Sequence, residues 1–358
     1  MIKVGLIGCG KIGQVHHLPE YAANPDCTIT ALYDINLERA KELAAKYGAT
    51  AYDSVEALLA SDVEAVSICS SNTSHAEITI AALKAGKHVL CEKPMATTLE
   101  DSEAMVAAAK EAGKRLMIGQ NQRLAGAHKK AKELIDGGAI GKVLTFKTAF
   151  CHGGPETWSV DPGLSTRFFD KKRAAMGAMA DLGVHKTDLL QFLTGQTIVE
   201  VSAMLSVLDK KFADGSPITV DDNAFVIYKM DGGAMGTMTV SWTNYGAEDN
   251  STVIWGTEGV LRIYDHPEHT LVLHKKSGEV EFYDVDQIQT NDNQTASGVI
   301  DMFIDCIKDE NAPYITGESA LKAMRAVFGA IEYWKVTVEV EPEVPVAPEL
   351  PVREIPER

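Results

Sequence analysis

From the N-terminus to about residue 122, short continuous apolar runs alternate with longer stretches whose apolar positions recur every three to four residues. The runs are KVGLIG, TITALYD, AVSICS, HVLCE and RLMIG. Between them lie KIGQVHHLPEYAA, NLERAKELAAKYG, SHAEITIAALKAG and TLEDSEAMVAAAKEAG, several of which end in glycine, as helix C-termini do. Strands apolar on both faces, alternating with helices, predict a parallel sheet covered on each side.

Beyond about residue 123 the rhythm changes. AGAHKKAKELIDGG reads as a helix, GKVLTFKTAF as a long strand, residues 151–175 as a loop rich in Gly, Pro and charge, and AMADLGVHKTDLLQFLTG as a second helix. Seven strand-like runs then fill residues 198–285, with DGG, GTEG and KSGE as hairpin turns between neighbours. Helices are expected near 296–309 and 317–334. The predicted fold is an α/β Rossmann domain with a parallel doubly wound sheet, followed by an α+β domain with a large, mostly antiparallel open sheet. The division is 1–123, 124–336 and a Pro-rich tail, 337–358, which holds five of the 13 prolines and forms either a loose tail or an arm on a neighbouring subunit.

The 358-residue length fits two domains. No apolar run approaches a membrane span, and MIKVGLIGCGKIG lacks a cleavable signal layout, so a cytoplasmic location is expected. The six cysteines form no CxxC pair, which fits reduced, buried thiols and argues against a structural metal. A net charge of −16 without long basic runs argues against nucleic-acid binding.

Gly8, Gly10 and Gly13 form a G-x-G-x-x-G between the first strand and the first helix. Gly8 suits the tight turn, Gly10 the approach of a pyrophosphate, and Gly13 close helix–strand packing. Asp34 ends the second strand, where a carboxylate accepts from both adenosine ribose hydroxyls and repels a 2′-phosphate. NAD is therefore favoured over NADP, although Arg39 stands within reach of a phosphate. A helix N-cap is a second role open to Asp34.

Two further features carry chemistry. VLCEKPMA delivers Glu92 and Lys93 at the mouth of a buried strand and stops at Pro94, an expensive placement for two charges without a task. In MADLGVHKTDLLQFLTG, Asp181, His185 and Asp188 are spaced to share one helical face. A carboxylate beside an imidazole supports a general base; a solvated face or a core histidine with a partner is the alternative.

The chain resembles the Gfo/Idh/MocA oxidoreductases, the glucose-fructose oxidoreductase and inositol dehydrogenase group. The resemblance covers residues 1–335 and rests on the glycine loop, AGKHVLCEKPMA, GQNQR at 119–123 and DLGVHKTDL at 181–189. It implies that Lys93 reaches the substrate hydroxyl beside the nicotinamide, that Glu92 lies by the nicotinamide ribose, and that Pro94 is cis. It implies His185 as general base, with Asp181 binding substrate or orienting the base. Asn121 and Arg123 are expected to face the cleft, Asn121 toward the cofactor and Arg123 toward the substrate, with Asn72 and His75 along the cofactor. Lys11, Ile12, Ile35 and Ser70 complete the expected cofactor set. Ser71 stands where the family commonly has proline. The alternatives are a helix cap for His75, a surface ion pair for Arg123, and a Glu92–Lys93 ion pair.

The implied activity is NAD-dependent oxidation of a secondary hydroxyl of a sugar, polyol or inositol-like substrate. The alternatives are a redox-assisted glycosidase or lyase that keeps its NAD, and a non-catalytic NAD and sugar sensor. FCHGGPETWSVDPG offers His152, Glu156, Trp158 and Asp161 to the substrate, with His152 and Trp158 expected to bind it; RFFDKKR either recognises an anion or is a solvated loop. The open sheet is expected to pack in a homodimer or homotetramer.

Overall fold

A computed structural model describes residues 1–158, 160, 163–164, 166–285 and 296–334. The Pro-rich tail and Asp161 lie outside the described residues.

The first sheet contains β1 (Ile2–Ile7), β2 (Cys27–Tyr33), β3 (Thr50–Tyr52), β4 (Ala65–Ile68), β5 (His88–Cys91) and β6 (Leu116–Ile118). Its order is β3-β2-β1-β4-β5-β6, and every pairing is parallel. β4 is buried at all four residues, as a strand covered by helices on both faces must be. Around the sheet lie α1 (Leu18–Ala23), which continues a π-helical turn at Gly13–His17, and then α2 (Leu37–Tyr47), α3 (Val55–Leu59), α4 (His75–Lys84) and α5 (Leu99–Ala112). Local chemistry sets their ends: the Asn36 side chain caps α2 by accepting from the Arg39 N–H at 3.2 Å, and Thr98 caps α5 by accepting from Asp101 at 3.0 Å. The sequence reading missed β3 and α3, which at three and five residues are too short to show a period.

The second half begins with α6 (Gly126–Asp136), β7 (Val143–Cys151), α7 (Lys171–Ala174) and α8 (Val184–Thr194). Seven strands follow: β8 (Ile198–Ser206), β9 (Asn223–Met230), β10 (Met235–Ser241), β11 (Thr252–Gly256), β12 (Gly259–Ile263), β13 (Leu271–Lys275) and β14 (Val280–Tyr283). With β7 they form one sheet in the order β14-β13-β12-β11-β7-β10-β9-β8, antiparallel throughout except for the parallel β7–β10 pair. The turns DGG, GTEG and KSGE join the antiparallel pairs β9–β10, β11–β12 and β13–β14.

α9 (Val299–Lys308) and α10 (Gly317–Trp334) complete the described chain. The sequence division groups both with the second half. In the structure, Val299, Ile300, Phe303 and Ile304 of α9 pack into the core of the first sheet, beside Val4, Leu6 and Met117. α10 touches α5 on one side and α8 and β8 on the other, bridging the two sheets. α8 lies so deep between them that His185, Lys186, Thr187 and Asp188 are all buried, which removes the solvated-face reading of that helix. Among the described residues, no helix is long and apolar enough to cross a membrane.

Candidate active site

The glycine loop leaves β1 at the point where strand order reverses, between β1 and β4. Open parallel sheets bind ligands there, beyond the strands' carboxyl ends. Gly8 has φ 99°, and a Cβ on it would lie 2.6 Å from the Cys69 backbone. A Cβ on Gly13 would lie 2.9 Å from the Gly8 oxygen, whereas one on Gly10 would meet nothing within 4 Å. The first and third glycines are thus required by the protein's own packing. The second faces open space, as a residue approached by a pyrophosphate should.

A cavity of about 500 Å³ opens beside this loop, lined by Gly10, Lys11, Asp34, Ile35 and Arg39. The Asp34 carboxylate accepts from the Cys9 N–H at 2.7 Å and the Asn36 N–H at 2.8 Å, and Arg39 stands 3.7 Å from it. Each carboxylate oxygen keeps lone-pair capacity for a further donor. The α2 N-cap is Asn36, so that role does not fall to Asp34. This acceptor and the glycines fit the adenosine half of a dinucleotide.

A second cavity, of about 560 Å³, shares Ile12, Ser70, Trp158, Arg167 and Phe168 with the first, so the two form one crevice. Asn72, His75, Glu92, Lys93 and Asn121 line it from the nucleotide domain. His152, Glu156, Trp158, Asp181 and His185 line it from the other side.

Within this cavity the Lys93 ammonium donates to the Asp181 carboxylate at 2.8 Å and to the Asp181 carbonyl at 3.1 Å. Asp181 sits in a π-helical turn, Met179–Gly183, that leads into α8. Burial pushes the Asp181 carboxyl up, but the Lys93 charge overrides it and holds the group below the usual carboxylate range. Glu92, the other charge of the strand mouth, does not pair with the Lys93 ammonium. Its carboxylate meets His17 Nε2 at 2.9 Å and accepts from the Lys93 backbone N–H at 3.1 Å. Burial pushes Glu92 up, yet the His17 hydrogen bond and neighbouring charges bring it down to about 2.

His185 packs 5.9 Å from the Phe150 ring, and among the described residues its buried Nδ1 has no hydrogen-bond partner. Burial first, then the Lys93 charge, lowers its pKa to about 3, so the imidazole is neutral. Asp181, expected as its orienting partner, engages Lys93 instead. Behind it, the fully buried Lys186 donates to the Asn250 carbonyl at 2.8 Å, and burial lowers its pKa to about 7.

Several expected residues occupy other roles. Arg123 lies outside the cavity lining: its Nε donates to the buried Asp188 at 2.6 Å, and its Nη2 bonds Asp188 and, at 2.7 Å, Ser319. It therefore joins α8 to α10, and its expected place at the substrate is corrected by this pairing, as is the grouping of Asp188 with Asp181 and His185. His75 clamps two loops, with Nδ1 2.8 Å from the Pro94 carbonyl and Nε2 3.3 Å from the Ser70 carbonyl. The Lys93–Pro94 peptide is cis. Ser71 has φ −75° and ψ 148°, a backbone that proline also takes, so that departure leaves the loop geometry unchanged.

Other residues that the sequence did not single out individually also line the cavity. Arg167, in the RFFDKKR cluster, reaches back across the crevice to the Ser70 carbonyl at 3.3 Å. Lys210 donates to the Gly153 carbonyl and to Glu156, each at 2.6 Å, beneath the Tyr245 ring. This buried cation ties down the loop that supplies His152 and Trp158. His152 Nδ1 accepts from the Gly154 N–H at 2.9 Å, which leaves Nε2 as its protonated nitrogen. Lys210 and Tyr245 lie in loops, and no local pattern sets them apart from their neighbours.

Comparison with known proteins agrees with this geometry. Residues 2–120 match the Gfo/Idh/MocA oxidoreductase family model, an NAD-binding Rossmann fold, and residues 128–262 match the Gfo/Idh/MocA C-terminal domain. The chain is 34% identical over 290 residues to a levoglucosan dehydrogenase of Pseudarthrobacter phenanthrenivorans, covering 73% of each protein. It is 31% identical over 281 residues to a myo-inositol 2-dehydrogenase of Thermotoga maritima, covering 78% of this chain and 80% of that one. A solved levoglucosan dehydrogenase in complex with NADH and levoglucosan superposes with a TM-score of 0.81 at 26% identity, over 93% of this chain and 97% of that one. On these matches, the chain belongs to the Gfo/Idh/MocA family and is an NAD-dependent oxidoreductase acting on CH–OH groups.

Proposed function

We propose that the protein oxidises a secondary hydroxyl of a sugar, polyol or inositol-like substrate, with Lys93 and His185 at the reacting oxygen. One observation carries the reading: Lys93 from the first domain and His185 from the second line the same cavity, in the crevice that continues to the glycine loop. NAD, when bound, accepts the hydride from the substrate carbon. Glu92, Asn72 and Asn121 face its nicotinamide half; Lys11, Asp34 and Ile35 face its adenosine half; Arg167 covers it from the second domain.

Asp181, through its carboxylate and its carbonyl, occupies two of the three ammonium protons of Lys93 and leaves the third for the cavity. Lys93 donates to the substrate oxygen and stabilises the charge that grows there. His185, neutral, takes the hydroxyl proton through Nε2, since its Nδ1 is buried out of the substrate's reach. Burial opposes the imidazolium that forms, and the developing alkoxide beside it favours it. His152, as a donor through Nε2, and Trp158 bind the remaining hydroxyls and an apolar sugar face. The named relatives, a levoglucosan dehydrogenase and a myo-inositol 2-dehydrogenase, support a cyclic polyhydroxylated substrate.

A screen of sugars, anhydrosugars and inositols with NAD and with NADP, following absorbance of the reduced cofactor, tests the reading. Turnover of at least one with NAD is expected; product formation without net cofactor reduction, or none with any of them, defeats it. The outer face of the second sheet exposes Met204, Phe225, Ile227 and Met235 on neighbouring strands, and we propose that a homodimer or homotetramer forms there in the cytoplasm. Sedimentation of the protein and of Phe225→Lys tests that assembly: the variant should dissociate.

A further inference from the structure

Beneath the cavity floor lies a polar chain that the mechanism above does not use. Tyr21 on α1, Ser67 on β4 and His17 at the end of the π-helical turn are 1%, 0% and 3% exposed. The Tyr21 hydroxyl lies 2.6 Å from Ser67 Oγ, Ser67 Oγ lies 3.1 Å from His17 Nδ1, and His17 Nε2 lies 2.9 Å from Glu92 Oε1. Glu92 then reaches the cavity surface, one residue past the end of β5.

We infer that Tyr21, Ser67 and His17 form a one-way hydrogen-bond relay that holds Glu92 as a carboxylate against the nicotinamide, so that the site binds oxidised NAD in preference to NADH. This rests on the proposed placement of the nicotinamide beside Glu92.

The direction follows from counting protons. A carboxylate only accepts, so His17 Nε2 carries a hydrogen. In the neutral imidazole Nδ1 is then an acceptor, and Ser67 must donate to it. The one Ser67 proton is now used, so Tyr21 must donate to Ser67. Every polar atom of the chain is satisfied, unlike Nδ1 of His185. A cationic His17 would instead donate at both nitrogens. Ser67 would then accept from His17, and whichever of Ser67 and Tyr21 donated to the other, one buried hydroxyl proton would have no acceptor among the described residues. Burial pushes the Tyr21 hydroxyl well above its usual range, so it keeps the proton that starts the chain.

Among the described residues, no ammonium pairs directly with the carboxylate so delivered. Lys93, the adjacent cation, gives Glu92 only its backbone N–H, because its ammonium is engaged by Asp181. Lys210 is likewise engaged by Glu156. Of the remaining charged lining groups, Arg167 and Glu248 are opposite in sign. The oxidised nicotinamide ring is a cation and the reduced ring is neutral. A fixed carboxylate therefore favours the oxidised form, and a buried, fully bonded network keeps it from protonating or swinging away.

Dissociation constants for NAD and NADH, measured by calorimetry on the wild type and on His17→Leu, His17→Gln, Ser67→Ala and Glu92→Gln, test this. The ratio of the NADH constant to the NAD constant should fall by about tenfold in Glu92→Gln, the size expected of one partly screened charge, and similarly in His17→Leu. His17→Gln, which retains an N–H donor for Glu92, should recover most of it, and Ser67→Ala should fall in between. A ratio unmoved in Glu92→Gln, or one that Gln and Leu at position 17 shift equally, overturns the inference. Should His17→Leu not fold, an unmoved ratio in Ser67→Ala does the same. If the wild type binds NAD and NADH but no sugar or polyol is oxidised, the substrate reading fails and this one stands. If it binds neither, both fall.

Discussion

The pH dependence of turnover separates a buried base from an ordinary histidine. Acidification from pH 6.5 to 5.5 is the perturbation. An imidazole of ordinary pKa, about 6.5, is roughly half protonated at the start of this interval and about 90% protonated at its end, so its base form falls about fivefold. His185 is 7% exposed, and burial and Lys93 lower its pKa to about 3. Below 1% of it is then protonated at pH 5.5 by the same relation. Glu92, at about 2, and Asp181, below the usual range, also keep their charges through the interval. The expected profile of kcat/KM, which reports the free enzyme, is flat down to about pH 5. Stability changes in the same interval and must be followed separately. The native state holds His185 and the buried His128 unprotonated, whereas the unfolded chain takes up protons below about pH 6.5. Their contribution, fully present above that pH, is lost as pH falls, by about 1 kcal/mol per histidine between 6.5 and 5.5. Initial rates are therefore taken well below the Tm at each pH, with the Tm recorded alongside. A fivefold loss of kcat/KM across the interval, in protein that remains folded, would show that His185 titrates normally and would refute its assignment as a buried neutral base.

Other substitutions probe the same architecture. Lys93→Met should lower kcat by about 100-fold or more while NAD affinity changes little, read by steady-state kinetics and calorimetry; near-normal turnover removes Lys93 from the reacting oxygen. Gly10→Ala should leave the Tm unchanged and weaken NAD binding, because its Cβ would enter open crevice. Gly13→Ala should lower the Tm, because its Cβ would press on the Gly8 oxygen at 2.9 Å and on Leu6. Arg123→Ala should destabilise by about 3–5 kcal/mol in chemical denaturation by leaving Asp188 buried and unpaired; a loss below about 1 kcal/mol would mean that the pair is not closed in solution.

Most of the fold follows from local patterns. Continuous apolar runs marked β1, β2, β4, β5 and β6, and turn residues placed the hairpins of the second sheet, because side-chain period and turn chemistry are read from adjacent residues. The spacing of the glycine loop located the crevice, since backbone clearance depends on the missing side chain itself. Helical periodicity put Asp181, His185 and Asp188 on one face, but the π-helical turn and the packing of α8 sent them to three different partners: Lys93, the open cavity and Arg123.

The sequence by itself therefore determined the longer elements, the dinucleotide crevice and most of the ionisable groups that reach it. The tertiary structure decided which of those groups meet. Lys93 and Asp181 are 88 positions apart, His17 and Glu92 are 75 apart, and Lys210 holds a loop 54 residues before it. No local period encodes such pairings. They are settled when burial strips water from each polar group and leaves it to find a partner on whichever element packs alongside.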